Sequence, residues 1–404
     1  MPILKNYQAF AGRHYETGSV HNILAYQGVK APHTGQAPSE ALLLGISGGI
    51  TVGYFTFEYE GYPPHIVLLT RNTFDPLDTL LERLAIPQEI YRTHNPAKGQ
   101  SNLIDVLESG HPALIWADMF SLPYNNLPYD ERNWGMLPLV VYGCEDGQAY
   151  LADRSSRPFV VSAETLQGAR GRVKKDEFRV VELGAPDWSR LAAAVTQGIW
   201  QCIRLYTEAP PRGKRDNFGL AALQHWAKML TNTRNKQSWA RYFPPGSRLW
   251  MALAGNHVQP GLYSFIDHGA GNHAERGRYA DFLDEAVRIL NKPALQDSAA
   301  RFRRSEQAWA QLNHLLLPDS IPAFAEVRTL LSRKQALFVE QGADGLEEIR
   351  HIKQRLQTIS RSAAEHFPLD EAACAAFREA LAEQVLAVHD AEQDAVSSLQ
   401  AAMV

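Results

Sequence analysis

The chain reads as an α+β domain followed by a long, mostly helical region. Short strand-like runs crowd the first 183 residues, the apolar spacing turns helical from about Asp187, and it stays helical to the end. In the first region Thr17 or Ser19 caps a helix carrying Val20, Ile23 and Leu24, and Gly28 stops it. Ser39-Glu40 opens a second apolar stretch, ALLLGI, which ends in Gly45, Gly48 and Gly49. ITVGYFTF then reads as a strand. Asn102–Ser109 is helical, and HPALIWADMF has a buried-strand pattern. LPLVVYG and QAYLADR pair around the turn CEDG, and RPFVVS and FRVVEL add two more strands. A helix followed by antiparallel-looking strands argues α+β rather than alternating βαβ.

In the second region PPRGKRDN (210–217) and FPPGSR (243–248) are loops. ERGRYADFLDEAVRIL and AARFRRSEQAWAQLNHLL place apolar residues at helical spacing. Leu346, Ile349, Ile352, Leu356 and Ile359 step by three or four, as do Phe377, Leu381, Val385 and Val388. This heptad-like spacing predicts a C-terminal helical hairpin, packed on its own chain or on a second subunit as a homodimer or heterodimer.

Composition narrows the function classes. The 404 residues are 45% hydrophobic and 21% charged, ordinary for a globular chain. Forty basic against forty-four acidic side chains leave a net −4, so no global field gathers nucleic acid or coats a membrane. Cys144, Cys202 and Cys374 are too few and too far apart for a disulfide framework or a metal knuckle. The start lacks a signal-peptide layout, and no apolar run approaches the roughly 18 residues of a membrane span. A reducing, cytoplasmic setting is the expectation. Charge is nevertheless uneven: Arg170–Trp250 holds fifteen Lys/Arg against six Asp/Glu, and Ala363–Val404 eight acidic residues against one Arg. The basic stretch is a solvated face or a dock for an acidic partner.

Phosphate-binding glycine patterns and HExxH are absent, so nucleotide and zinc-protease chemistry have no sequence support. His268 and His273 flank HGAGNH without a carboxylate in place, a poor metal site, and no metal is expected. Gly45-Ile46-Ser47-Gly48-Gly49 fits G-x-S-x-G, but a strand follows where a nucleophile elbow needs a helix. The other reading of these residues is a glycine turn that lets the backbone pass close to a neighbour.

GRHYETGSVHNILAYQG sets Tyr15 just ahead of a helix, where papain-like enzymes hold a cysteine whose thiolate the helix terminus favours. The surrounding pattern resembles the family of butirosin biosynthesis protein H, a papain-like acyltransferase family. The resemblance rests on Gly12, His14, Glu16-Thr17-Gly18, Asn22, Ser39-Glu40, the glycine cluster, Asp118, Leu122-Pro123-Tyr124, Gly143-Cys144-Glu145-Asp146 and Asp153. NFGLAALQHWAKML (217–230), GNHAERGRYADFLDEA (271–286) and RFRRSEQAW (301–309) also resemble the helical domain of unknown function that usually follows.

The resemblance implies a papain-like domain at 1–185 and a helical domain at 186–322, and the apolar spacing adds a C-terminal hairpin at 323–404. It implies transfer of an acyl group from the phosphopantetheine arm of an acyl carrier protein in secondary-metabolite biosynthesis, with no cofactor bound by the chain itself. The family's Cys-His pair is replaced, however. Tyr15 holds the nucleophile slot, the histidine slot falls on Leu137, and only the third member, Asp153, remains. An ordinary phenol with pKa near 10 is about 0.1% ionised at neutral pH, and no base is at hand. Two readings stay open: a catalytically degenerate binding or partner subunit, or an acyl transferase, thioester hydrolase or cyclase rebuilt on Tyr15, His14, Ser47 and Asp153. Glu16, Gly48, Gly49, Asp118 and Tyr124 are the expected substrate-binding positions, each with a structural alternative as a turn or cap residue.

Overall fold

Local chemistry sets the element boundaries. Asn95 starts one helix by accepting from the N–H groups of Ala97 and Lys98, with Pro96 in the first turn. Ser162 accepts from Thr165 and Asp370 from Ala373 at two others. The computed structural model describes residues 3–60, 62–129, 131–256, 258–267 and 273–404.

The chain begins with α1 (Thr17–Tyr26), α2 (Glu40–Ile46), β1 (Ile50–Phe57), β2 (His65–Arg71), α3 (Pro76–Arg83) and β3 (Gln88–Tyr91). There follow α4 (Pro96–Glu108), β4 (Ala113–Asp118), β5 (Met136–Glu145), β6 (Gln148–Ala152), β7 (Phe159–Ser162), α5 (Ala163–Gly171) and β8 (Val180–Leu183). Beyond them the chain is helical: α6 (Leu191–Thr207), α7 (Gly219–Thr231), α8 (Trp239–Tyr242), α9 (Ser247–Ala254), α10 (Leu262–Ile266) and α11 (Arg276–Leu290). The last four helices are α12 (Leu295–Leu316), α13 (Pro322–Gln341), α14 (Leu346–Glu365) and α15 (Glu371–Met403). The architecture is thus mixed α/β, with a sheet-containing N-terminal region and a helical C-terminal part. No helix among the described residues is long and apolar enough to cross a membrane.

Two compact units form, neither contiguous in sequence. Unit 1 takes Met1–Leu43, Leu80–Leu191 and Lys334–His351; unit 2 takes Leu44–Thr79, Ala192–Arg333 and Ile352–Val404. Residues 44–79 belong to unit 2 and residues 334–351 to unit 1, so each unit draws on both halves of the chain. The expected hairpin at 323–404 is three helices, because Gly342 and Gly345 interrupt the first run and Pro368 the second.

Unit 1 is built on an antiparallel sheet of order β3-β8-β4-β5-β6-β7. Leu114, Ile115, Val140, Val141 and Leu151 are buried on its central strands, which explains their near-continuous apolar runs. The register sets Asp118 opposite Met136, Ala117 opposite Leu137 and Val140 opposite Ala152. The end of β4, the start of β5 and the end of β6 therefore meet at one end of the sheet.

In unit 2, β1 and β2 form a ribbon with Phe55 opposite Val67 and Phe57 opposite His65. The helices bury Trp226, Trp309, Tyr279, Phe282 and Phe302. The stripe Phe377, Leu381, Val385 and Val388 lies on the single helix α15, which packs on α7 and α12 of its own chain. Fully buried Arg276 reaches Glu392 of α15 (Nε to Oε1, 2.6 Å), and the Glu392 carboxylate also accepts from Trp309 Nε1 at 2.6 Å and Ser305 Oγ at 2.8 Å.

Candidate functional site

The loop before α1 is fixed by polar groups at both ends. The backbone N–H of Gly12 donates to Asn22 Oδ1 at 2.9 Å. Those of Arg13 and His14 donate to Glu40 Oε2 and Oε1 at 2.8 and 2.9 Å, and the Thr17 hydroxyl donates to Oε1 at 3.0 Å. A side chain at Gly12 would lie 2.2 Å from the Gly18 carbonyl oxygen, so the tight return of this loop requires glycine. Helix α1 starts at Thr17 rather than being capped by it; Glu16 holds the N-cap position and makes no side-chain cap bond.

This framework delivers Tyr15, half-buried, with its ring 4.0 Å from that of His14. His14 Nδ1 accepts from the Glu16 N–H at 3.3 Å, which makes Nδ1 the unprotonated nitrogen. Tyr15 stands close enough to Arg154 to act on its charge.

Asp153 follows β6 directly and is buried. Its carboxylate takes Arg154 Nε on Oδ1 at 2.6 Å and Arg154 Nη2 on Oδ2 at 2.9 Å, and Oδ2 also accepts the Tyr124 hydroxyl at 2.9 Å. Neighbouring residues of a strand point to opposite faces, so such a pair needs the strand to end. Arg154 supplies the break with a left-handed φ of 55°. Its guanidinium continues to Asn125 Oδ1 at 3.0 Å and lies 5.2 Å from the centre of the Phe338 ring. Burial works against the Arg154 charge, but the Asp153 carboxylate outweighs it and raises the pKa. Burial, then Asp153, holds the Tyr124 phenol well above its ordinary range, so Tyr124 stays a donor. Both oxygens of Asp153 thus already accept hydrogen bonds, Oδ1 one and Oδ2 two.

Asp118 at the end of β4 is fully buried. It accepts the Gly135 N–H at 2.8 Å and the Ser121 hydroxyl at 2.7 Å, closing the 119–135 loop. Leu137, half-buried, occupies the start of β5 at this same end of the sheet.

Ser47, Gly48 and Gly49 lie in unit 2, apart from the unit holding Tyr15, His14, Asp153, Tyr124, Asp118 and Glu16. Gly49 N–H bonds to Leu44 C=O and Gly48 N–H to Gly45 C=O, both glycines at positive φ, which is a Schellman stop for α2. The buried Ser47 hydroxyl donates to the Leu44 carbonyl at 2.7 Å. Gly198 of α6 passes so close that a Cβ there would lie 2.2 Å from the Gly45 oxygen.

All three cysteines, Cys144, Cys202 and Cys374, are free and buried. Burial pushes Cys144 and Cys374 up, and Cys202 up to about 12. His268 lies outside the described residues, and His273 pairs with Asp267 at 3.8 Å. Among the described residues no cluster of three or more His, Cys, Asp or Glu side chains could hold a metal.

Two residues of this site escaped the sequence reading of function. Arg154 left a local signal, a cation next to Asp153 in LADRSSRP. Phe338 left none, since its approach from α13 depends on the tertiary fold.

No curated protein matches the chain. Residues 14–154 match the family model of butirosin biosynthesis protein H, N-terminal. That stretch contains Tyr15, Glu40, Asp118, Tyr124, Leu137, Asp153 and Arg154, so the first part of this chain is similar to the N-terminal region of that family.

Proposed function

We propose that the chain serves secondary-metabolite biosynthesis as a catalytically degenerate member of an acyltransferase family, binding an acyl chain carried on an acyl carrier protein without turning it over. The observation carrying this reading is the Asp153 carboxylate, bridged by Arg154 and capped by Tyr124, beside a phenol in the nucleophile slot. A thioester acyl transfer on a papain-like scaffold needs a nucleophile, a base to take its proton and an acid to orient the base. Here the expected orienting acid already holds Arg154 and Tyr124, and the position expected to supply the base is Leu137. One observation favours a rebuilt enzyme instead: the Tyr15 phenol interacts electrostatically with the Arg154 cation.

The carrier's dock in this reading is the end of unit 1 that carries the 119–135 loop. Tyr129 and Trp134 are 61% and 52% exposed there, with Arg172 4.8 Å over the Tyr129 ring and Lys175 5.5 Å from the Trp134 ring. Lys174 and Lys175 are exposed beside them. Acidic surfaces are steered and held by such a patch. Reversing both charges, Lys174→Glu with Lys175→Glu, is expected to weaken binding of an acidic acyl carrier protein about tenfold at low salt, an effect of about 1.4 kcal/mol. Titration calorimetry checks this. Native binding unchanged by the double variant overturns the dock, and no native binding overturns the carrier reading.

A further inference from the structure

Unit 2 contains a cleft of about 190 Å³ between β2 and the α9–α10 segment. Its walls are apolar, with Val67, Met251, Pro260 and Phe265 among them, and its polar groups are His65 and Gln259. An apolar cavity of roughly 150 Å³ is enough to admit benzene, so this space takes a ligand of that order rather than a few waters. The thioether of Met251 lets one wall adapt to an irregular guest.

The two polar side chains decide the class of guest. The His65 ring is held by stacking on Phe57 and Tyr59, at 5.4 and 5.6 Å. Among the described residues its nitrogens make no hydrogen bond, and neither does the side-chain amide of Gln259. Burial lowers the His65 pKa, so at neutral pH the ring is an uncharged imidazole with one donor and one acceptor. The amide of Gln259 likewise offers both. Among the described residues no charged side chain lines the cleft, so an ionised guest would lose hydration without gaining a counter-charge there.

We infer that this cleft is a binding site for an uncharged ligand made of a short aliphatic chain ending in an amide, the chain lying against Val67, Met251 and Phe265 and the amide pairing with His65 and Gln259. The site is separate from Tyr15 and Asp153 and does not rest on the acyl-carrier reading of unit 1.

The test is saturation-transfer NMR with titration of the full chain, using butanamide, hexanamide, decanamide and the hexanoate anion as probes. Binding is expected to strengthen about tenfold from butanamide to hexanamide, the gain for two buried methylenes. It should stop rising at decanamide, which outgrows the cleft, and hexanoate should bind more weakly than hexanamide. Val67→Trp fills the cleft and should abolish the signal. Gln259→Leu, on a surface loop and without consequence for folding, should weaken hexanamide at least threefold. Absence of saturation transfer with every amide overturns the site, as does hexanamide binding that neither substitution changes. Because the probes carry no thioester and need no carrier, failure of this site leaves the reading of unit 1 standing, and the reverse also holds.

Discussion

Arg276→Met is expected to lower the stability of unit 2 by about 3–5 kcal/mol, the cost of stranding one member of a buried ion pair. Arg276 and Glu392 are both fully buried, and the guanidinium also donates to the carbonyls of Ala274 and Thr51 and to the Tyr206 hydroxyl. Removing it leaves the Glu392 carboxylate facing Trp309 and Ser305 without a counter-charge. The pH dependence separates this from a simple packing loss. In the native protein burial opposes the Glu392 charge, but Arg276 outweighs it and holds the pKa below the ordinary carboxylate range. Its contribution is therefore full above about pH 4.3, the unfolded value, and is lost as pH falls through the lower folded value. In Arg276→Met the guanidinium is gone and burial, the larger effect, outweighs the remaining hydrogen bonds from Tyr206 and Trp309 and raises the carboxyl pKa, so the deficit is largest at neutral pH and shrinks on acidification. Denaturant melts of both proteins at pH 7 and pH 5 check this. A deficit that is independent of pH would mean that lost packing, not stranded charge, is responsible.

Arg154→Met is expected to cost unit 1 about 3 kcal/mol for the same reason, since Asp153 would keep only the Tyr124 hydroxyl. The side chains of Arg154 and Asp153 are 15% and 5% exposed, so solvent does little to screen the pair. Asp153→Asn with Arg154→Met removes both charges and should recover more than half of the loss. A double variant as unstable as the single one would show that Arg154 acts through Asn125 and Phe338 rather than through Asp153.

Much of unit 1 was legible because its signals are local. The strands β4 to β8 stand out as apolar runs, and Asp146-Gly147, both at positive φ, turn β5 into β6. HIVLLTR and QEIY, which form β2 and β3, were not anticipated, although Pro63-Pro64 and Asn72 bound the first of them. The crossover of residues 44–79 into unit 2 is set by contacts that no window of sequence contains, such as Phe282 closing on Gly45 and Tyr279 on Gly49. At the site, the order of Gly12, Glu40, Asp118, Tyr124 and Asp153 was readable. The role of Glu40 in gathering two backbone N–H groups was not, because its partners lie 26 and 27 residues away. Arg154 shows the same limit: its identity is in the sequence, while its return onto Asp153 depends on a left-handed backbone turn.

The degenerate-site reading is tested most directly by thiol release from an acyl-pantetheine thioester, measured for the native protein and for Tyr15→Phe at equal concentration. The arrangement around Asp153 predicts release at the uncatalysed rate in both, for every acyl length tried. Release above background that falls in Tyr15→Phe would contradict it and make Tyr15, beside Arg154, the working group of a rebuilt enzyme.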